Sequence, residues 1–463
     1  MRVLLISSYE LGHQPVHVAS PAAALRAAGH EVRGLDLSVE AWDDGAVAWA
    51  EAVGLSVPMH TAMRLALRAA EVIRRLRPAL PLCFYGLYAP VSRDLTVGRL
   101  ADRVLAGEYE PALVAWVDGL EVGTRDAGPP AGAGEEGLDA VDASGAELHV
   151  GRGRGRFHLP ARGLLPPLER YARLAIEGEE RLVGAVEATH GCRYECRHCP
   201  VPTVYGGAFR VVGSDVVLAD IAQLVEAGAR HITFSDPDFL NGPGHAMRIV
   251  RAMRQRFGDL TFDCTVKVEH ILRHAALWPE LAASGCVFAV TAVECVNDRI
   301  LALLDKGHTA ADAARAVDLL REHGIEPRPS LMPFTPWSTV SDVVDILDFV
   351  IAHDLVGNVD PIQYTIRLLL PQGSLLLDRP QLAPHLGPYD AEQLSYQWRP
   401  ADPCTDALQA ELAALAAVGI GSPPGAMFLA VNAAVRLAAG ERTDLVLTGP
   451  ARSSPRLTEP WFC

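Results

Sequence analysis

The chain opens on a repeating beat of short apolar runs and longer amphipathic stretches. Residues 2–6 (RVLLI) form a continuous apolar run of strand length. Ser20 and Pro21 then supply an N-cap and a first-turn proline for a helix that AAALRAA carries and Gly29 closes. A second strand is expected near residues 32–35, a long amphipathic helix near 61–76, and a third strand at 82–85. Gly107-Glu108-Tyr109-Glu110-Pro111 opens another helix. Strands alternating with helices build a parallel sheet with crossover connections, so residues 1–121 predict a doubly wound, Rossmann-like domain. Ligands of such a domain bind at the carboxyl ends of its strands.

From residue 122 to 164 the pattern lapses. The composition turns to Gly, Pro, Ala and acidic residues (GPPAGAGEEG, then GRGRGR), as in a linker or an exposed hairpin. The alternation resumes over residues 165–373, with strands expected at 184–188, 231–234, 261–268, 287–293, 328–333 and 362–370. These six units are too few to close an eight-stranded barrel. An open, partial (β/α)6 barrel is the natural construction, with its chemistry at the strand C-terminal ends. Residues 374–463 read as mostly helical with an irregular end. The whole is an α/β protein, and its length of 463 residues fits two or three domains.

Charge narrows the partners. A net charge of −15 argues against nucleic acid, whose phosphates need clustered Lys and Arg, and favours a small-molecule substrate. No apolar stretch approaches the roughly 20 residues of a membrane span, and MRVLLISSYELGHQ has no signal-peptide pattern. A cytoplasmic location is expected.

Nine cysteines are too few for a disulfide scaffold. Cys83, Cys264, Cys286, Cys295, Cys404 and Cys463 stand singly and read as small hydrophobes. Cys192, Cys196 and Cys199 stand together, directly after the first barrel strand, in EATHGCRYECRHCPVPTVYGG. Thiolates suit iron–sulfur clusters or zinc. A structural zinc site closes with four protein ligands, and only His198 is at hand as a fourth. Three thiolates on a 4Fe-4S cubane leave one iron open.

At these residues the chain resembles the radical S-adenosylmethionine superfamily, whose hallmark has this spacing with an aromatic before the third cysteine, where His198 stands here. The resemblance spans about residues 165–373. It implies that the open iron chelates S-adenosylmethionine, and that an electron from a flavodoxin- or ferredoxin-type donor, passed through the cluster, cleaves a carbon–sulfur bond to give a 5′-deoxyadenosyl radical. It implies further roles by position. Asp236 or Asp238, after the second strand, would hold the methionine amine, or else cap the next turn. Glu294, ending the fourth strand, would reach the ribose hydroxyls, or else form an ion pair behind the site. Arg328 would fork onto the methionine carboxylate, or else make a plain salt bridge. Lys267, Glu269 and Arg367 lie on or beside expected strands and are catalytic, substrate-pocket candidates.

A nucleotide-type domain, a linker and such a barrel, with AGEYEPAL before the linker and PLERYARL before the cysteine strand, resemble the cobalamin-binding subclass. Members that replace the lower cobalt ligand use Asp-x-His-x-x-Gly after the first strand. Leu11-Gly12-His13-Gln14-Pro15-Val16 keeps only the histidine, so His13 is a cobalt ligand, a contact to the corrin edge, or a loop histidine. Gly86, Gly107 and Glu108 would border the corrin. YELGHQP, TVKVEH, LMPFTPW and DPIQYTIRLLLP also resemble a narrower group named for a Cys- or selenocysteine-containing tail ending in Ala-Glu-Pro. The present tail, ARSSPRLTEPWFC, lacks the cysteine pair. The expected activity is cobalamin-dependent methyl or alkyl transfer to a small molecule in natural-product biosynthesis. The alternatives are cobalamin-free transfer of the 3-amino-3-carboxypropyl group, and a non-catalytic iron–sulfur or zinc protein.

Overall fold

The computed structural model describes residues 1–92, 96, 98–122, 138–141, 147–151, 157–419, 421–442, 445–447 and 454–459. Cys463, Ser453, Pro460 and the GPPAGAGEEG stretch lie outside the described residues.

Five apolar segments, β1 (Arg2–Ser7), β2 (Glu31–Asp36), β3 (Ala52–Ser56), β4 (Leu82–Tyr85) and β5 (Arg103–Gly107), make a parallel sheet in the order β2-β1-β3-β4-β5. The hairpin β6 (Leu138–Val141) and β7 (Glu147–Gly151) extends this sheet, β7 running parallel to β5. The stretch read as a linker or exposed hairpin therefore contributes strands to the first domain. Gly107 turns there with φ +66, and a Cβ on it would come within 2.2 Å of the Gly151 carbonyl, so only glycine lets the two strands close.

The first helix corrects the sequence reading. It runs Val16–Ala27, with Pro21 inside it rather than at its start. A proline there leaves the His17 carbonyl without its N–H partner. The Tyr85 hydroxyl on β4 donates to that carbonyl at 2.9 Å, and the Glu10 carboxylate accepts from the Val16 N–H at 2.9 Å. Tertiary contacts supply both what the proline removes and what a cap would give.

The second sheet begins with an antiparallel pair, β8 (Arg173–Ile176) and β9 (Glu179–Val186). A two-stranded ribbon of β10 (Thr189–Gly191) and β11 (Phe209–Val211) follows. Parallel β12 (His231–Phe234), β13 (Thr261–Thr265), β14 (Cys286–Glu294) and β15 (Glu326–Leu331) then complete a half-barrel with β9. Ile232, Phe234, Phe262 and Cys264 join the core under the outer helices. Their neighbours are polar: the His231 ring lies 2.8 Å from Asp263 Oδ1, and the Thr233 hydroxyl donates to that oxygen at 2.7 Å. The sixth expected strand is reduced to one parallel bridge, Phe334–Arg367, because Pro361 starts a tight helical turn over Pro361–Thr365.

Beyond the barrel come a hairpin, β16 (Leu386–Asp390) and β17 (Ser395–Trp398), and two helices, Cys404–Val418 and Pro424–Ala438. The short β18 (Arg456–Leu457) returns to pair with β8. Among the described residues no helix is long and apolar enough to cross a membrane.

Candidate functional site

The cysteine loop leaves the top of β9 and is pinned at its neck by the β10–β11 ribbon. Gly191 makes that neck possible: its φ is +76, and a Cβ would lie 2.6 Å from the Ala208 carbonyl. Cys192 and Cys196 are buried and Cys199 is partly so. The Asn241 side-chain oxygen receives the Arg193 N–H at 3.3 Å and lies 3.7 Å from Cys192 Sγ. Arg197 ties the far side of the loop to the C-terminus of the helix Asp298–Leu304, donating to the Leu303 carbonyl at 3.0 Å while its own N–H reaches the Leu304 carbonyl at 2.9 Å.

Burial pushes the Cys192 thiol up and the Cys199 thiol to about 12. A soft metal group must displace these protons, so its binding releases them. The spacing separates the two metal readings. Sulfurs on one tetrahedral zinc stand about 3.8 Å apart, given a Zn–S bond of about 2.3 Å. The three Sγ atoms here do not form a set within 4.8 Å of one another, as described residues able to hold one ion would. Thiolates on three different irons are spread more widely, and the loop fits that donor set.

Glu294 ends β14 with φ +65, a left-handed conformation that a non-glycine residue adopts at a cost. Its Oε1 lies 2.9 Å from Lys306 Nζ and 3.3 Å from His198 Nε2, in the cysteine loop. Burial would raise this carboxyl, but Lys306 and His198 outweigh it and hold the group well below the usual carboxylate range. The structure thus presents the ion-pair alternative for Glu294. Lys306 itself was not singled out from sequence.

Asp236 and Asp238 differ. Asp236 accepts from the Ala188 N–H at 3.0 Å and from the Thr189 hydroxyl, and burial still lifts its carboxyl to about 7. Asp238 is fully buried and caps the next turn. Its oxygens accept from the Leu240 N–H at 3.0 Å and the Lys267 N–H at 3.1 Å, and one lies 2.9 Å from the His270 ring. Asp238 thus shows the turn-capping alternative of its reading.

Lys267 is buried, and its ammonium has no hydrogen-bond partner and lies 3.5 Å over the ring of Tyr194 from the cysteine loop. Glu269 Oε2 is 3.7 Å from its ammonium, and Glu269 Oε1 accepts from the Tyr194 hydroxyl at 3.1 Å. Both residues therefore stand beside the cysteines. Arg328 and Arg367 do not. Arg328 pairs with Asp360 and donates to the Pro455 carbonyl at 3.1 Å, locking the returning tail. Arg367 pairs with Asp406, 3.5 Å over the Trp398 ring, and fastens the C-terminal helices. Arg328 thus makes the salt bridge of its alternative reading, and Arg367 is held by the C-terminal region.

A cleft of about 180 Å³ opens between the ends of the cysteine loop and the ligand edge of the first sheet. Glu10, His13, His17, Met59, Gly107 and Tyr109 line it from the first domain; Glu187, His190, Val201, Tyr205 and Pro237 line it from the barrel. Gly86 turns at the end of β4 with φ +118, one residue before Leu87 in this lining. A chain of alternating charge crosses the cleft. Glu10 lies 3.0 Å from the His17 ring, His17 3.4 Å from Glu187, Glu187 3.3 Å from His190, and His190 3.1 Å from Glu108. Burial opposes charge on His17, yet Glu187 and Glu10 lift it to about 9. Likewise Glu187 is held at about 2 by His17 and His190, against its burial. His13 is buried with Nε2 unpartnered, and burial lowers it to about 4, so it is a neutral imidazole. Of this chain only Glu108 was singled out from sequence. Two histidines four residues apart, His13 and His17, were the available signal.

Residues 186–350, from the end of β9 to within the helix Val340–Ala352, match the family model described as the radical SAM superfamily. The barrel therefore contains a radical SAM domain. Hopanoid C-3 methylase of Methylococcus capsulatus is 23% identical over 361 residues, 72% of this chain; the match covers 64% of that relative's own length. Bacteriochlorophyllide d C-12(1)-methyltransferase of Chlorobaculum tepidum is 28% identical over 137 residues, 28% of each protein. Among solved structures, the cobalamin-dependent S-adenosylmethionine radical enzyme OxsB with aqua-cobalamin and S-adenosylmethionine bound superposes with a TM-score of 0.71 at 15% identity. That match covers 91% of this chain and 67% of that one. The radical S-adenosylmethionine methyltransferase TsrM of Kitasatospora setae follows with a TM-score of 0.61 at 21% identity, covering 81% of this chain and 74% of that one. The first of these likenesses runs through both domains, and both show the fold.

Proposed function

We propose that this chain is a cobalamin-dependent radical enzyme that transfers a methyl or larger alkyl group to a small molecule in natural-product biosynthesis. The observation that carries the reading is the cleft: Gly191 and Val201, the residues that flank the cysteine loop of a radical SAM domain, on one wall, and the ligand edge of a Rossmann-like sheet on the other. Cys192, Cys196 and Cys199 would hold a 4Fe-4S cluster, and a low-potential external protein would reduce it. When bound, the cluster and S-adenosylmethionine would supply radical chemistry and the corrin would carry the alkyl group. The chain's own part is placement and shielding. Gly107 lies in the cleft wall and Gly86 turns the chain into it just before Leu87, and the ion chain from Glu10 to Glu108 holds the two walls together.

His13 would face the lower side of such a ring without ligating it. Its own contacts support this: a ligating imidazole is normally fixed by a carboxylate, and the carboxylate that acts on His13, Asp263, is already committed to His231 and Thr233. The test is anaerobic reconstitution with hydroxocobalamin, followed by electron paramagnetic resonance of the cobalt(II) form. Corrin absorbance without nitrogen superhyperfine splitting supports the reading. Splitting that His13→Ala abolishes would overturn the account of His13. Failure to retain corrin would overturn the cobalamin reading and leave 3-amino-3-carboxypropyl transfer as the activity to assay.

A further inference from the structure

We infer that Lys306 is a positioned charge that raises the reduction potential of the cluster, a role for this side chain beyond holding Glu294. The inference rests on the reading that Cys192, Cys196 and Cys199 hold a 4Fe-4S cluster. Lys306 is buried, 3% exposed, and a buried ammonium needs a reason to stay. Its position is fixed by the backbone. Asp305 ends the helix Asp298–Leu304 in the left-handed region with φ 58, and the Lys306 N–H closes onto the Leu301 carbonyl at 3.1 Å. Arg197, between Cys196 and Cys199, is bonded to the last carbonyls of the same helix and pairs with Asp305 at 3.1 Å. The ammonium and the cysteine segment are thus anchored to one helix end and cannot drift apart.

The ammonium stands against the cysteine loop. Its Nζ lies 2.9 Å from Glu294 Oε1, and the same oxygen lies 3.3 Å from Nε2 of His198, the residue before Cys199. A 4Fe-4S core of charge 2+ with three thiolates carries one net negative charge. One electron from a low-potential donor makes that two, with no bond formed or broken. A fixed positive charge stabilises the more negative state more strongly, and screening by salt is weak where the charges are buried. Removing Lys306 deletes this charge and leaves the Glu294 carboxylate uncompensated, and both changes act in one direction.

The experiment is a redox titration with dithionite, without S-adenosylmethionine, followed by electron paramagnetic resonance, on reconstituted wild type, Lys306→Arg, Lys306→Gln and Lys306→Met. Lys306→Gln keeps a hydrogen bond to Glu294 and guards against misfolding of the methionine variant. Equal potentials for wild type and Lys306→Arg are expected. For Lys306→Gln we expect a lower one, by roughly tenfold in the reduction equilibrium, about 59 mV for one electron. Four irons per chain with an unchanged potential in Lys306→Gln overturns this inference and spares the cluster. A wild type that takes up no iron overturns the cluster reading, and this inference with it.

Discussion

Replacing His17 by Gln removes a cation from the middle of the buried chain that joins the two domains, and the consequence has a definite pH signature. The flanking Glu187 and Glu10 raise His17 from 6.5 to about 9. A shift of that size corresponds to about 3 kcal/mol of stability linked to this one proton. Because the folded-state value is the higher one, the contribution is complete below pH 6.5, declines as pH rises, and is gone above about 9. Glu187, held at about 2, stays ionised throughout this window, and His190 is raised well above its usual value by Glu108 and Glu187, against its burial. Urea unfolding of the cofactor-free protein at intervals from pH 6 to 9.5 measures the effect. Wild type should lose stability by up to about 1.4 kcal/mol per pH unit near pH 8. His17→Gln should be weaker at pH 6.5 by about 3 kcal/mol, and its profile should flatten across the window. Parallel profiles for the two proteins would refute the reasoning.

Asp238→Ala strands two backbone N–H groups and the His270 ring, so a loss of about 2–4 kcal/mol in urea unfolding is expected. A loss below about 1 kcal/mol would return Asp238 to the cofactor. Arg162→Met removes a buried partner of Asp220, 2.8 Å away, together with a 3.1 Å bond to the Gln14 carbonyl of the cleft loop. The melting transition should fall by the equivalent of about 3–5 kcal/mol, and most of that should be recovered in Arg162→Met/Asp220→Leu. Glu294→Gln should weaken S-adenosylmethionine binding in equilibrium dialysis by about tenfold or more, and should also destabilise the fold because it leaves Lys306 buried without its counter-ion. Full stability in that variant would contradict the ion-pair account.

The cysteine loop was legible because its chemistry is local: three thiols within eight residues at a strand end need no tertiary information. Most strands were legible for a similar reason, their apolar runs being long enough to stand out. β3 was not. Its sequence AVGLS is poor in β-formers, and it is a strand because Gly54 admits Leu5 and Tyr85, whose side chains stand 2.8 and 3.0 Å from where a Cβ would be. The first helix was misplaced because Pro21 is tolerated only through Tyr85, 64 residues away. The ionic chain across the cleft was out of reach on the same grounds. Glu10, His17, Glu187 and His190 are ordinary polar residues until two domains bring them together, and Lys306 meets the cysteine loop only once the helix Asp298–Leu304 has turned back. Arg367 shows the reverse limit: a charge on an expected strand was read as a pocket group, whereas its ion-pair partner, Asp406, lies in the C-terminal region.

The central claim is that Cys192, Cys196 and Cys199 jointly hold one 4Fe-4S cluster at the mouth of the radical SAM domain. Quantifying iron, acid-labile sulfide and zinc in anaerobically reconstituted wild type and in the triple Cys→Ala variant tests it most directly. The account predicts about four irons and four sulfides per wild-type chain, with little of either in the triple variant. One zinc per chain without sulfide, or iron and sulfide retained by the triple variant, would contradict it.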